Sequence, residues 1–202
     1  MKAQKQILYI HGGMTFKTHK EYIHYLKTRS ISIDKQSWSG SYLDKKLGKA
    51  YQIIRPRMPW PENSKYEEWK IHFELHFPFL KNDVILIGKS LGGIFLAKYL
   101  SENTFPKKIK AVFLVAPPFD DTVSGEDLRK DFWLKKDLAL LEKQTKNLYL
   151  MFSEDDPCVP ISHADKYEGK LGKGIFIIFK HNGHFSIPEF PEIVAMIKKL
   201  GK

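Results

Sequence analysis

Ser90 stands between two glycines, in Gly88-Lys89-Ser90-Leu91-Gly92, where an apolar run (Val84 to Ile87) meets an almost uncharged helical run (Leu91 to Leu100). A sharp strand-to-helix turn holds such a serine oxygen out at the carboxyl edge of a sheet, because the flanking glycines remove Cβ atoms that would clash. The chemistry this suits is nucleophilic attack on an acyl carbon. Gly-Lys-Ser also ends phosphate-binding loops, but the earlier glycine that such a loop requires is replaced by Asp83, and the residues between read as strand. Nucleotide binding is set aside on that ground.

A serine hydroxyl is protonated at neutral pH and needs a base within hydrogen-bond reach. Among the eight histidines, His184 lies in His181-Asn182-Gly183-His184-Phe185, after the last apolar run and before the last helical pattern. A loop there opens at the same sheet edge as Ser90. His72 and His76 lie on an amphipathic helical pattern and read as structural. The base in turn needs a carboxylate to fix its tautomer. Asp156 is preferred over Asp155 in Ser153-Glu154-Asp155-Asp156-Pro157-Cys158-Val159-Pro160, since Pro157 fixes a rigid turn and keeps Asp156 extended. Asp120 and Asp121 are the alternative acids, with turn formation and helix capping as the ordinary roles of all four.

A tetrahedral oxyanion calls for preorganised donors. Leu91 supplies one backbone N–H, and Gly13 of His11-Gly12-Gly13-Met14 the other, with Met14 the neighbouring choice. Met14, Phe16, Trp60, Pro118, Phe119, Val159 and Phe185 fall on loops near the same edge and are expected to line an acyl pocket, core packing being the alternative for each. Lys89 is expected to be solvent-directed or paired with an acid rather than to bind a substrate anion. Cys158 lies in the acid loop, but Ser90 holds the turn that a nucleophile needs. His181 and His184 on a metal form a minor alternative; no metal and no cofactor is expected.

These residues require a scaffold that delivers loops to one edge. Apolar runs bounded by turn signals occur at Ile7 to Ile10, Tyr51 to Ile54, Val84 to Ile87, Ile109 to Val115, Leu148 to Phe152 and Ile175 to Phe179, and predict six buried strands. Helical periodicity is clearest at Tyr66, Trp69, Phe73, Phe77 and Leu80, and at Phe190, Ile193, Ile197 and Leu200. The alternation predicts an α/β fold with a parallel sheet covered by helices on both faces. Ser30 to Gly40 and Pro117 to Lys136 fit no simple element, and the second is expected to cover part of the site.

With 202 residues, 43% of them hydrophobic, and no linker-like tract, residues 1–202 are expected to form one domain. The N-terminal apolar stretch is too short for a signal peptide, no run suits a membrane span, and a single cysteine suits a reducing compartment, so a cytoplasmic protein is expected. The formal net charge of +10 is carried partly by scattered pairs such as Lys45-Lys46 and Lys198-Lys199, a pattern of solvated faces rather than a specific nucleic-acid site.

Over nearly its whole length the chain resembles an α/β-hydrolase. Tyr9-Ile10-His11-Gly12-Gly13 is similar to that family's oxyanion loop, and Gly88-x-Ser90-x-Gly92-Gly93 to its nucleophile turn. Asp156-Pro157-x-Val159-Pro160 and Gly183-His184-Phe185 are similar to its acid and base loops, in the chain order Ser, Asp, His. Arg57-Met58-Pro59-Trp60-Pro61, Trp69 and the small size further resemble the cap-less serine hydrolases of the retinoblastoma-binding protein nine group. That resemblance implies the last six strands of the family sheet and no large cap. It departs at Lys89, where the family often has His. The expected activity is hydrolysis of a small-molecule acyl ester or thioester through an acyl-enzyme. The competing expectation is a hydrolase-fold scaffold that binds a partner without turnover.

Overall fold

The computed structural model describes residues 4–31, 37–123, 127–134 and 137–201. Each apolar run becomes a strand: β1 (Lys5–Ile10), β2 (Tyr51–Ile54), β3 (Val84–Lys89), β4 (Ile109–Val115), β5 (Leu148–Ser153) and β6 (Ile175–Phe179). They form one sheet in the order β2-β1-β3-β4-β5-β6, with every neighbouring pair parallel. The register sets Ile10 beside Gly88, Gly88 beside Leu114, and Leu114 beside Leu150, so the strands end level and their following loops share one rim.

Strand residues alternate between two cores, as the two-residue period of a strand requires. Ile7, Tyr9, Ile85, Ile87, Phe113, Val115 and Met151 pack on one face with Leu43 and Leu47 of α2 (Leu43–Leu47) and Ile193, Val194 and Ile197 of α7 (Pro191–Leu200). Leu8, Ile10, Leu86, Val112, Leu114 and Leu150 face the other way. There they meet α3 (Tyr66–Glu74), α4 (Leu91–Glu102), α5 (Ala139–Gln144) and α6 (Ser162–Glu168). Trp69 and Phe73 of α3 cross Phe95 of α4 edge-on at 5.6 and 5.3 Å. Each fully buried ring of this kind contributes about 1.5–3 kcal/mol, and together they clamp α4, the helix that begins just after Ser90.

The periodic pattern from Tyr66 to Leu80 is not one helix. The α-helix stops at Glu74 and Phe77–Phe79 form a single tight turn. Pro78 accounts for the break: it lacks an N–H, and its ring would strike the carbonyl four residues back, at Glu74. The remaining helix, α1 (His19–Thr28), is held at its start by reciprocal bonds between Thr18 and Glu21 and buries no residue. Of the two stretches that fit no simple element, 32–36, 124–126 and 135–136 lie outside the described residues. The parts described are well anchored: Trp38 is buried with its indole N–H on the Phe185 carbonyl, and Leu128 and Phe132 belong to the core.

The chain leaves β1 to one side for β2 and returns to the other side for β3. Strand order therefore reverses at β1, which opens a crevice beyond the carboxyl ends of β1 and β3. The residues that follow those ends are His11-Gly12-Gly13 and Ser90.

Candidate active site

Ser90 has φ 54° and ψ −122°, a backbone conformation that costs a non-glycine residue about 1–3 kcal/mol. Two glycines make it possible. A Cβ on Gly88 would fall on the Gly92 carbonyl, and one on Gly92 would fall on the Ile10 carbonyl of β1. The turn is pinned by Ser90 N–H donating to Val115 O at 2.8 Å and by Gly93 N–H donating to Ser90 O at 2.8 Å. Leu91 is the first residue of α4, so its N–H has no acceptor within the helix and lies at the positive end of the helix dipole. Ala116 and Phe185 also have positive φ, which gathers three strained residues at this one rim.

His184 and Asp156 meet from the loops after β6 and β5. The His184 Nδ1 lies 2.9 and 3.0 Å from the two Asp156 carboxylate oxygens. Asp156 has 1% of its side chain exposed, and it also accepts the N–H groups of Cys158 at 2.8 Å and Val159 at 3.0 Å. The Pro157 turn folds those donors back onto the carboxylate. An ionised carboxylate only accepts, so the proton belongs on Nδ1 and the Nε2 lone pair faces away from the acid. Ser90 and His184 line the same cleft. Among the described residues no direct hydrogen bond joins the serine hydroxyl to the ring; such bonds commonly tighten only with substrate bound.

Two of the alternative acids, Asp155 and Asp120, are spent elsewhere. Asp155 accepts from Ser153 Oγ at 2.6 Å and from Gly183 N–H at 2.8 Å, and these bonds hold its carboxyl below the usual range. Burial raises the Asp120 carboxyl, but Lys166 at 2.8 Å and Thr122 outweigh it and keep the group below its ordinary value. His181 faces Asp155 at 4.0 Å with 87% of its side chain exposed. Among the described residues one set of three metal-binding type donors occurs, Asp156, Cys158 and His184, whose ligand atoms lie within 4.8 Å of one another. An ion there would take the Asp156 and His184 atoms that pair with each other.

The loop after β1 presses against Ser90. A Cβ on Gly12 would stand 3.2 Å from Ser90 Cβ, and one on Gly13 would stand 2.8 Å from both the Pro61 carbonyl and the Ser64 hydroxyl. Met14 N–H donates to Pro61 O at 2.7 Å, so the neighbouring choice of oxyanion donor is already engaged, whereas Gly13 remains suited to the role. His11 Nε2 accepts the Met58 N–H at 2.9 Å and its other ring nitrogen faces Gly12 O, which fixes the loop from behind.

Two spaces flank Ser90. A narrow one of about 10 Å³ is lined, beside Ser90, by Leu91, Pro118, Val123, Leu128, Cys158 and Val159. An open one of about 480 Å³ includes Met14, Ser37, Ser39, Lys89, His184 and Ser186. Of the expected lining residues, Met14 and Val159 are therefore brought to the site, and Pro118 with them. Four are not. Phe16 packs with Tyr22 and Tyr25 over a separate groove, and Trp60, 70% exposed, borders another depression. Phe119 packs edge-on against Tyr167, and Phe185 is fully buried against Phe179 and Phe190, because the strained turn after His184 points it into the core. Lys89 reaches across the rim to Ser186 Oγ at 3.3 Å. Ser37 and Ser39, brought in from before β2, carry no sequence signal of their own; Ser186, two residues after His184, could have been found by proximity.

Comparison with known proteins agrees with this architecture. The sequence profile of the serine hydrolase family matches residues 32–193. The ydeN gene product from B. subtilis is 19% identical, with a TM-score of 0.77 over 98% of this chain and 99% of that one. The meta-cleavage product hydrolase from Pseudomonas fluorescens is 11% identical (TM-score 0.67; 98% and 90% covered). The esterase domain of a Rhodothermus marinus protein is 16% identical (TM-score 0.60; 98% and 86% covered). The resemblance to the α/β-hydrolase superfamily is thereby established at the level of fold.

Proposed function

The chain belongs to the serine hydrolase family, and from that premise we propose that it hydrolyses a small-molecule ester or thioester through Ser90, His184 and Asp156. The observation that carries the reading is the buried Asp156 carboxylate on His184 Nδ1, in a cleft shared with the strained Ser90. His184 Nε2 takes the hydroxyl proton as Ser90 Oγ attacks the acyl carbon. Gly13 and Leu91 N–H groups stabilise the oxyanion of the tetrahedral adduct. His184 then gives that proton to the departing oxygen or sulfur, leaving an acyl-serine. Water attacks the acyl carbon, its proton passes to His184, and collapse of the second adduct returns the proton to Ser90 and releases the acid. Asp156 stays ionised throughout and stabilises the imidazolium.

Residues 1–202 are read as one hydrolase domain. The finer kinship to the retinoblastoma-binding protein nine group rests on the sequence of Arg57-Met58-Pro59-Trp60-Pro61 and Trp69, which meet where the Trp69 indole N–H donates to the Pro59 carbonyl at 2.8 Å. No helix among the described residues is long and apolar enough to cross a membrane. The test is hydrolysis of p-nitrophenyl acetate with and without a chelator. Turnover that is abolished in Ser90→Ala and indifferent to the chelator supports the reading; loss with chelator and restoration by a divalent metal contradicts it.

A further inference from the structure

The two spaces beside Ser90 differ in size and in chemistry, and the proton path decides which half of the substrate each receives. The leaving oxygen must end within reach of His184, which protonates it. His184 lines the open cleft and not the narrow pocket. The leaving alcohol therefore lies in the cleft, and the acyl chain points at Leu91, Pro118, Val123, Leu128, Cys158 and Val159. Resting on the Ser90 reading above, we infer that the substrate is an acetyl-sized ester of a hydroxyl-rich alcohol, a polyol or sugar.

The acyl side has free space of about 10 Å³, near that of one water. Three of its wall residues, Leu128, Val159 and Pro118, cannot yield cheaply. Leu128 and Val159 are buried, and the Pro118 carbonyl accepts the hydroxyl of fully buried Tyr167 at 3.0 Å. The next residue, Phe119, is tied by its N–H to His163 Nδ1 at 2.8 Å. Each extra methylene of a longer acyl chain must displace packed side chains, which costs more than its burial returns. Polar groups line the alcohol side. The Ser37 hydroxyl lies 2.9 Å from that of buried Ser39, with Ser186, Arg29 and Lys89 around the same cleft. An alkyl alcohol would strip water from these groups without replacing its hydrogen bonds, whereas a polyol replaces them.

The test is kcat/KM of the wild type on p-nitrophenyl acetate, butyrate and octanoate, and on methyl 6-O-acetyl-glucoside against hexyl acetate, alongside fluorophosphonate labelling. Acetate should exceed butyrate by about tenfold or more, and the sugar acetate should exceed hexyl acetate by about tenfold. Val123→Ala and Val159→Ala should each raise the butyrate-to-acetate ratio several-fold by widening the pocket, about as much as one methylene is worth. Octanoate or hexyl acetate turned over as fast as its partner, or labelled enzyme that turns over neither acetate ester, overturns this inference while leaving Ser90 as the nucleophile. Absence of both labelling and turnover removes the underlying reading instead.

Discussion

Two histidine and aspartate pairs stand at the same rim of the sheet, and their atoms are committed in opposite ways. In the pair formed by the loops after β5 and β6, Asp156 accepts only N–H groups, and His184 presents one nitrogen to it and lines the cleft shared with Ser90. In the other pair, Asp120 is taken by Lys166 and Thr122. His163, fully buried, has both nitrogens in use: Nδ1 accepts the Phe119 N–H at 2.8 Å, so Nε2 carries the proton and donates to Thr122 O at 3.1 Å. A carboxylate near an imidazole is thus not enough to make a base. What matters is whether a ring nitrogen is left for the reacting atom.

That contrast is broken most forcefully by exchanging the acids. Asp156→Asn should lower kcat/KM by about 10⁴, the loss seen when a serine triad's histidine is left in the wrong tautomer, while Asp120→Asn should stay within about threefold of wild type. Collapse in Asp120→Asn with an intact Asp156→Asn would move the acid to the loop after β4. A smaller effect, about tenfold or somewhat more, is expected for Asp155→Asn, because Asp155 holds Gly183 beside the base loop and misplacing His184 slows transfer. Steady-state kinetics with unchanged circular dichroism measures it.

On the other pair the effect should fall on stability. His163→Gln should lower unfolding free energy in urea by about 1–3 kcal/mol, since buried partners on Phe119 and Thr122 lose their fitted ring. The smallest effect is its pH dependence. Burial holds the His163 imidazole below its ordinary value of 6.5, against Thr122 O, Asp120 and Asp156, which favour its charge, and with Lys166, which opposes it. Between the folded and unfolded values the unfolded chain binds the extra proton, so this contribution is complete above about pH 6.5 and is lost as pH falls below it. Urea melts at pH 7.5 and 5.5 should show wild type losing more than His163→Gln. Equal losses would mean that His163 is not held neutral by the fold.

The inner strands were legible because a fully buried parallel strand reads as an unbroken apolar run; Val84 to Ile87 and Ala111 to Val115 illustrate this directly. Ser90, Asp156 and His184 could be singled out because each follows a strand end, and the topology brings strand ends to one rim. The binding walls were not legible in the same way. Phe119 and Phe185 sit beside site residues in sequence, yet their backbones turn them inward, a matter of φ at Phe185 and of the Tyr167 contact at Phe119. Ser37, Ser39 and Arg29 reach the cleft only through tertiary packing between β1 and β2. Helix α1 buries no residue, so it leaves no apolar stripe to read, and the Tyr66 pattern continued past the break because Phe77 packs on Phe73 at 5.1 Å even outside the helix.

The central claim is that Ser90, and no other residue, is activated by the His184 and Asp156 pair. Fluorophosphonate labelling followed by mapping of the adduct tests it without knowledge of the substrate, since capture at phosphorus needs an activated serine and donors for the developing charge. The account predicts one adduct per chain, on Ser90, absent in Ser90→Ala, strongly slowed in His184→Ala and Asp156→Asn, and unchanged in Asp120→Asn. Folded wild-type protein that stays unlabelled, or an adduct that forms equally fast in Asp156→Asn, would contradict it.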